Sequence, residues 1–221
     1  MTTLTTAPLA PLLDRLFAEA DAVAPAFQQY VSTLSAEEQK RIMRSRTDYI
    51  DVYGQLRDFP LPVSRETGVL LYMLARSSRA QTIVEFGTSF GISTLYLAAA
   101  LRDNGGGRLI TTEFESSKVT RARENLKAGG VLDLVEIREG DALQTLRHDL
   151  PETVDVLLLD GAKALYPDIL ELLESRFRPG TLIIADNADH SPDYLARVRD
   201  PAQGYLSTPF GGDVELSTWL G

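Results

Sequence analysis

Residues 82–113 read TIVEFGTSFGISTLYLAAALRDNGGGRLITTE. A short apolar run at 82–86 leads into a turn with glycine at 87 and 91. An apolar stretch of helical length follows over 91–102, and a second strand-like run closes the segment at 108–113. Strand, glycine turn, helix and strand make one βα unit with the start of the next. The alternation continues with strands at 134–138 (LVEIR), 154–160 (VDVLLLD) and 180–186 (GTLIIAD), and with helices over 116–128, 142–147 and 166–177. The last helix is read from Leu165, Ile169, Leu172, Leu173 and Phe177 on one face, and Gly129-Gly130 and Pro179-Gly180 are read as helix stops. Strands 82–86, 154–160 and 180–186 are apolar nearly throughout, as strands covered on both faces are. The pattern predicts a doubly wound, mostly parallel α/β sheet. The stretches 203–208 and 213–219 read as a closing strand pair.

Upstream, residues 1–62 read as a helical extension and 63–221 as the main domain. Leu12, Leu13, Leu16, Phe17 and Ala20 recur at helical spacing. A second helix is expected from Ser35, with Glu38 completing a capping box, carrying Ile42, Met43, Tyr49, Ile50 and Tyr53. Pro60 and Pro62 break the chain, and Ser64 is placed to cap a third helix. No internal repeat and no flexible linker interrupts this order.

Composition narrows the chemistry. The 221 residues carry 22 Lys+Arg against 31 Asp+Glu, a net charge of -9. Such a surface repels phosphate backbones and anionic lipid, so neither DNA nor a membrane is an expected partner. Cysteine is absent and histidine occurs only as His148 and His190. Disulfides, thiolate metal sites and cysteine nucleophiles are excluded, and any metal is expected on oxygen ligands, as Mg²⁺ is. The longest apolar runs, Val69–Ala75 and Leu95–Leu101, are far short of the roughly 20 residues a membrane helix needs. The N-terminal MTTLTTAPLAP has no signal-peptide pattern, so a cytoplasmic location is expected.

In an open α/β sheet, ligands bind past the carboxyl ends of the strands. The turn Gly87-Thr88-Ser89-Phe90-Gly91 has Ser89 where a dinucleotide fingerprint has its middle glycine, which disfavours NAD or FAD and suits a nucleoside without a pyrophosphate. Glu113 ends the next strand and is placed to accept from ribose hydroxyls, with Glu115 as the competing candidate. Asp141 follows the third strand, beside an expected adenine, and also suits a helix N-cap. Asp160 and Asp186 end the fourth and fifth strands and Asn187 follows at once, an oxygen-only donor set suited to Mg²⁺. Lys163, in the loop after Asp160, is a candidate general base, its pKa expected to fall beside a dication.

These residues carry a resemblance. VEFGTSFGIST (84–94) and LLLDGAKALYPDILELLESRFRPGTLIIADN (157–187) resemble the class I S-adenosylmethionine-dependent methyltransferases, within them the cation-dependent catechol and caffeoyl-CoA O-methyltransferases. The likeness spans about residues 60–220. It implies a Rossmann-like, seven-stranded sheet with an antiparallel seventh strand, and helices from the N-terminal extension serving as a lid or dimer contact. It further implies that Glu85 and Gly87 line the methionine part of S-adenosyl-L-methionine, that Ser93 contacts its carboxylate, and that Asp160 counts among the cofactor residues. Asp160-Lys163-Tyr166 matches the family's metal and catalytic spacing, and the implied reaction is methylation of a hydroxyl on a small vicinal diol. Relatives are often homodimers. The chain departs from the pattern at Gly161-Ala162 and at Ala188-Asp189-His190, which bears on acceptor specificity. Arg44 and Arg46 could meet an acidic substrate, and His190 reads as a solvated loop residue. A metal-independent methyltransferase of the same fold is the alternative, ahead of an NAD-dependent oxidoreductase.

Overall fold

A computed structural model describes residues 1–47 and 49–221. Seven strands form one sheet: β1 Thr82–Phe86, β2 Arg108–Glu113, β3 Val135–Glu139, β4 Val154–Leu159, β5 Phe177–Ala185, β6 Tyr205–Phe210 and β7 Val214–Trp219. Their order is β3-β2-β1-β4-β5-β7-β6. The first five run parallel, while β7 lies antiparallel to both β5 and β6. Strand order reverses between β1 and β4, so the loops after these strands diverge and leave a crevice at their carboxyl ends.

Helices cover both faces, and the apolar strand residues alternate between two cores. One core joins Ile83, Leu109, Val156, Leu158 and Ile184 to α1 (Leu9–Ser32), α4 (Arg65–Ser77), α5 (Ile92–Asp103) and α6 (Ser116–Ala128). The other joins Val84, Leu157, Leu159 and Ile183 to α7 (Ala142–Thr145), α8 (Tyr166–Glu174) and α9 (Pro192–Val198). Among the described residues no helix is long and apolar enough to cross a membrane.

Three expected boundaries shift. The helix expected from Ser35 onward is two: α2 (Ala36–Arg44), started by the Ser35/Glu38 capping box, and α3 (Tyr49–Gln55). Ser45 leaves the helix in extended conformation (ψ 136°), and its hydroxyl accepts from the Thr47 backbone N–H, a local bond that competes with helix continuation. The helix read to 177 stops at Glu174, and β5 begins at Phe177, whose ring packs on Trp219 with centroids 6.3 Å apart. Pro179-Gly180 therefore sits inside a strand. Pairing with β4 jumps from Val154↔Phe177 to Val156↔Leu182, a bulge that accommodates the missing proline N–H.

The first half of α1 packs on α5 and α6. Its second half, with α2 and α3, roofs the crevice, where Phe27 of α1 meets Phe59 with ring centroids 5.7 Å apart. Arg46, just after α2, bonds Asp168 on α8 and ties the roof to the domain.

At the switch point, Gly87 has φ +103°, and a Cβ there would lie 2.5 Å from the Asp160 carbonyl oxygen. Gly87→Ala combines a left-handed penalty of about 1–2 kcal/mol with a backbone clash. It is expected to cost about 2–4 kcal/mol in urea unfolding. A loss of a few tenths would mean that β1 and β4 are free to separate there.

Candidate active site

Each strand end brings a polar group to one cavity of about 480 Å³. After β1 the backbone turns sharply through Gly87, Ser89 (φ +48°) and Gly91 (φ +83°), so that α5 starts close behind the strand. Glu85 points away from the cavity. It is fully buried and accepts from Ser93 Oγ at 2.5 Å and Thr94 Oγ1 at 2.6 Å, pinning the first turn of α5 to β1. Burial pushes its carboxyl up to about 7, against the pull of those hydroxyls. Ser93 itself is on the cavity wall.

Glu113 ends β2 on the same wall. Its two oxygens accept from the backbone N–H groups of Ser89 (2.9 Å) and Glu115 (3.0 Å). Burial raises its pKa, which these bonds and the nearby Lys118 charge oppose. The alternative, Glu115, also borders the cavity but caps α6 through Ser117 N–H at 3.2 Å. Asp141 takes the N-cap role expected of it, accepting from Leu143 N–H at 2.9 Å at the start of α7, and it also borders the cavity.

The opposite wall is acidic. Asp160 and Asp186 follow β4 and β5, aligned by backbone bonds from Asp160 N–H to Phe86 O (2.8 Å) and from Asp186 N–H to Leu159 O (2.9 Å). Asn187, at φ +48°, donates from Nδ2 to Asp213 Oδ2 at 3.0 Å. Burial raises the pKa of Asp160, and burial plus the Asp160 charge pushes Asp186 up to about 7. Like charges sharing a desolvated edge account for this direction. Lys163, 5% exposed, donates to Asp160 Oδ1 at 3.1 Å and lies 5.3 Å from the Tyr166 ring centroid. Desolvation works against its charge, yet the neighbouring Tyr166 and Asp160 outweigh that and hold its pKa above the ordinary lysine value. The fall expected from sequence is the effect of a neighbouring dication; with Asp160 paired to Lys163 alone, the charge of the lysine is favoured. The Tyr166 hydroxyl donates to Asp186 O at 2.8 Å and so fixes the β5 end.

Gly87, Ser93, Glu113, Asp141, Asp160, Lys163, Asp186 and Asn187 thus border one cavity, and Glu85 supports it from behind. Arg46 is spent on Asp168. Arg44 and His190 border a separate polar groove between α2 and the 188–190 turn, and His190 remains 47% exposed. Three wall residues escaped the sequence reading. Asp213 sits in the β6–β7 hairpin, where an Asp after Gly211-Gly212 reads as turn chemistry. Tyr53 was read only as part of an apolar stripe. Lys118, in the first turn of α6, looks like any surface lysine.

The profile of a methyltransferase-domain family matches residues 84–188. The chain is similar to a catechol O-methyltransferase of Niastella koreensis, 36% identical over 130 residues, 58% of this chain and 58% of that protein. It is similar to catechol O-methyltransferase B of Danio rerio, 32% identical over 176 residues, 76% of this chain and 66% of that one. The chain thus spans less than two thirds of the length of these curated relatives. An O-methyltransferase structure from Bacillus cereus in complex with SAH superposes with TM-score 0.66 at 25% identity, covering 89% of this chain and 97% of that one.

The Glu85 environment has a pH signature. Its folded pKa of about 7 exceeds the unbound value of 4.5, so the folded state favours the protonated form. The stability this supplies is complete below the unfolded pKa and lost as pH rises through the folded one. At about 1.4 kcal/mol per pKa unit, Glu85→Gln is expected to gain about 3 kcal/mol on wild type between pH 4.5 and 8 in urea unfolding. A pH-independent difference would contradict this environment.

Proposed function

We propose, since this chain belongs to the class I S-adenosylmethionine-dependent O-methyltransferases of the catechol and caffeoyl-CoA type, that it methylates a hydroxyl of a small aromatic vicinal diol. The observation that carries the reading is a single cavity with two chemically distinct walls. One has the glycine turn, Ser93 and Glu113, and the other has Asp160, Lys163, Asp186 and Asn187.

The first wall fits S-adenosylmethionine. Gly87 leaves backbone room that a side chain would fill, and the buried Glu113 carboxylate suits a pair of ribose hydroxyls. Asp141 is free at the cavity rim to face the adenine amino group. Ser93 has committed its proton to Glu85, so the lone pair it offers the cavity suits the ammonium of the amino-acid tail better than the carboxylate first expected. When bound, the cofactor supplies an electrophilic methyl group on sulfur. The chain's task is to hold the acceptor oxygen in line with it and keep water out, and the apolar roof of Phe27, Ile42, Met43 and Leu56 suits an aromatic ring.

The second wall fits a hard dication. The carboxyls of Asp160 and Asp186 crowd one another at a buried edge, and the amide of Asn187 adds a neutral oxygen. Asp160, Asp186 and Asn187 would hold Mg²⁺, which supplies Lewis acidity toward the acceptor oxygens. Among the described residues no three histidine or carboxylate side chains already converge on one point, so the amide is needed to complete the set. Lys163 Nζ faces the same space; with Asp160 held by a dication, the pairing that now favours its ammonium would be lost, and the amine, once it has given its own proton to solvent, would take the proton of the acceptor hydroxyl. A second reading has one observation in its favour: Lys163 already neutralises Asp160, so the edge could serve a methyltransferase without metal.

Metal removal separates the two. Turnover of a diol is expected to vanish in EDTA and return with Mg²⁺, while calorimetric binding of S-adenosylhomocysteine persists. Full turnover by the stripped enzyme would establish the metal-independent reading.

Lys163→Met keeps the apolar stem and removes the proton acceptor. The expected loss is about 10²–10⁴-fold in kcat, with S-adenosylhomocysteine affinity unchanged. A loss below about threefold, uniform across diols of graded acidity, would remove Lys163 from the chemistry.

A further inference from the structure

Lys118 is only 3% exposed and borders the cavity beside Glu113. Two costs attend its position. Burial of an ammonium is expensive unless it is paired, and a cation in the first turn of a helix opposes the helix dipole. Neighbouring carboxylates recover only part of the burial cost, and burial still holds the Lys118 pKa below the ordinary lysine value. Among the described residues no carboxylate forms an ion pair with Lys118. Among the described residues its Nζ makes one hydrogen bond, long at 3.4 Å to Ser89 Oγ, and the Phe90 ring centroid is 5.9 Å away. The two nearest acids are already occupied, Glu113 by backbone N–H groups and Glu115 by Ser117. An ammonium has three donors, so Lys118 retains capacity for an oxygen in the cavity.

We infer that Lys118 is a cofactor-positioning residue: its buried ammonium is the counter-charge of the Glu113 carboxylate, and the two groups bracket the ribose end of the cofactor. The inference rests on Glu113 being the ribose acceptor. Ser89 joins the parts, since its N–H donates to Glu113 and its hydroxyl meets both Lys118 Nζ and the Pro60 carbonyl. Only an ionised Glu113 offers acceptors to both ribose hydroxyls, and burial works against that ionisation while the Lys118 charge favours it. The other ionisable groups around the pair are Glu115 on α6, Asp160 after β4 and Tyr53 on α3. Glu115 and Asp160 favour the lysine charge, and the backbone N–H of Glu115 favours that of Glu113.

The test is calorimetric binding of S-adenosylhomocysteine from about pH 5.5 to 8.5 to wild type, Lys118→Met, Lys118→Gln and Glu113→Gln. Wild-type affinity is expected to fall only at the acid end. In Lys118→Met the affinity at neutral pH drops about tenfold, and the acid limb moves up by about one pH unit. Lys118→Gln keeps a donor toward Ser89 without the charge. It is expected to shift the limb in the same way, and it stands in if Lys118→Met does not fold. Glu113→Gln binds weakly at every pH with no limb. A wild-type limb in both lysine variants, with Glu113→Gln impaired, would overturn the role of Lys118. Wild-type affinity in Glu113→Gln would overturn the ribose assignment beneath it.

Discussion

The contact between the ends of β1 and β4 sets the dimensions of the site. Gly87 packs where any Cβ would strike the Asp160 carbonyl, and Asp160 N–H bonds Phe86 O at 2.8 Å. These two strands own the halves of the cavity: the glycine turn on one side, the acidic edge on the other. Because their backbones touch, the spacing between the two walls is fixed by main chain rather than by side-chain rotamers. A reaction between groups held on the two walls would tolerate little error in that spacing, and rigid backbone holds it without further ordering of side chains.

Around this contact the protein buries charge of both signs. Glu85, Glu113, Asp160 and Asp186 are all nearly enclosed, and Lys118 and Lys163 are the cations set among them. Burial raises every one of these carboxyls, and hydrogen bonds or a lysine oppose it to different degrees. The result is a graded set of acids in one small volume, each tuned by what faces it. Such arrangements lower stability and are kept where ligands complete them.

Much of this was legible because it is written locally. The alternation of apolar runs with glycine turns located the strands, and Ser35-Glu38 and Ser64 marked helix starts that the structure shows as caps. Carboxylates at strand ends could be picked out one by one, since each follows its own apolar run. What depends on distant partners was hidden. Nothing local marks Ser45 as a break in a helical stripe, and Pro179-Gly180 looks the same at a helix end as in a bulge. Lys118 has the sequence context of a solvated residue, and only the fold turns it inward. Glu85 reads as a ligand contact, whereas its hydrogen bonds make it the brace behind Ser93.

The insertion of β7 between β5 and β6 also governs how the site comes into being. The chain must leave β5, lay out α9 and β6, and then turn back through the hairpin to fill the gap. Until it does, β5 has an open edge, and Asn187 lacks the Asp213 carboxylate that orients its amide. The pairing joins Ala185 to Glu215, so closing it encloses α9 and β6 and carries a loop-closure cost. The glycine-turn wall, built from β1 and β2, makes no use of that closure, whereas the acidic wall takes Asp213 from the β6–β7 hairpin. The two walls therefore differ in what they ask of the C-terminal hairpin: the first stands on parallel strands alone, and the second borrows a carboxylate from a turn whose position only the antiparallel pairing of β7 sets.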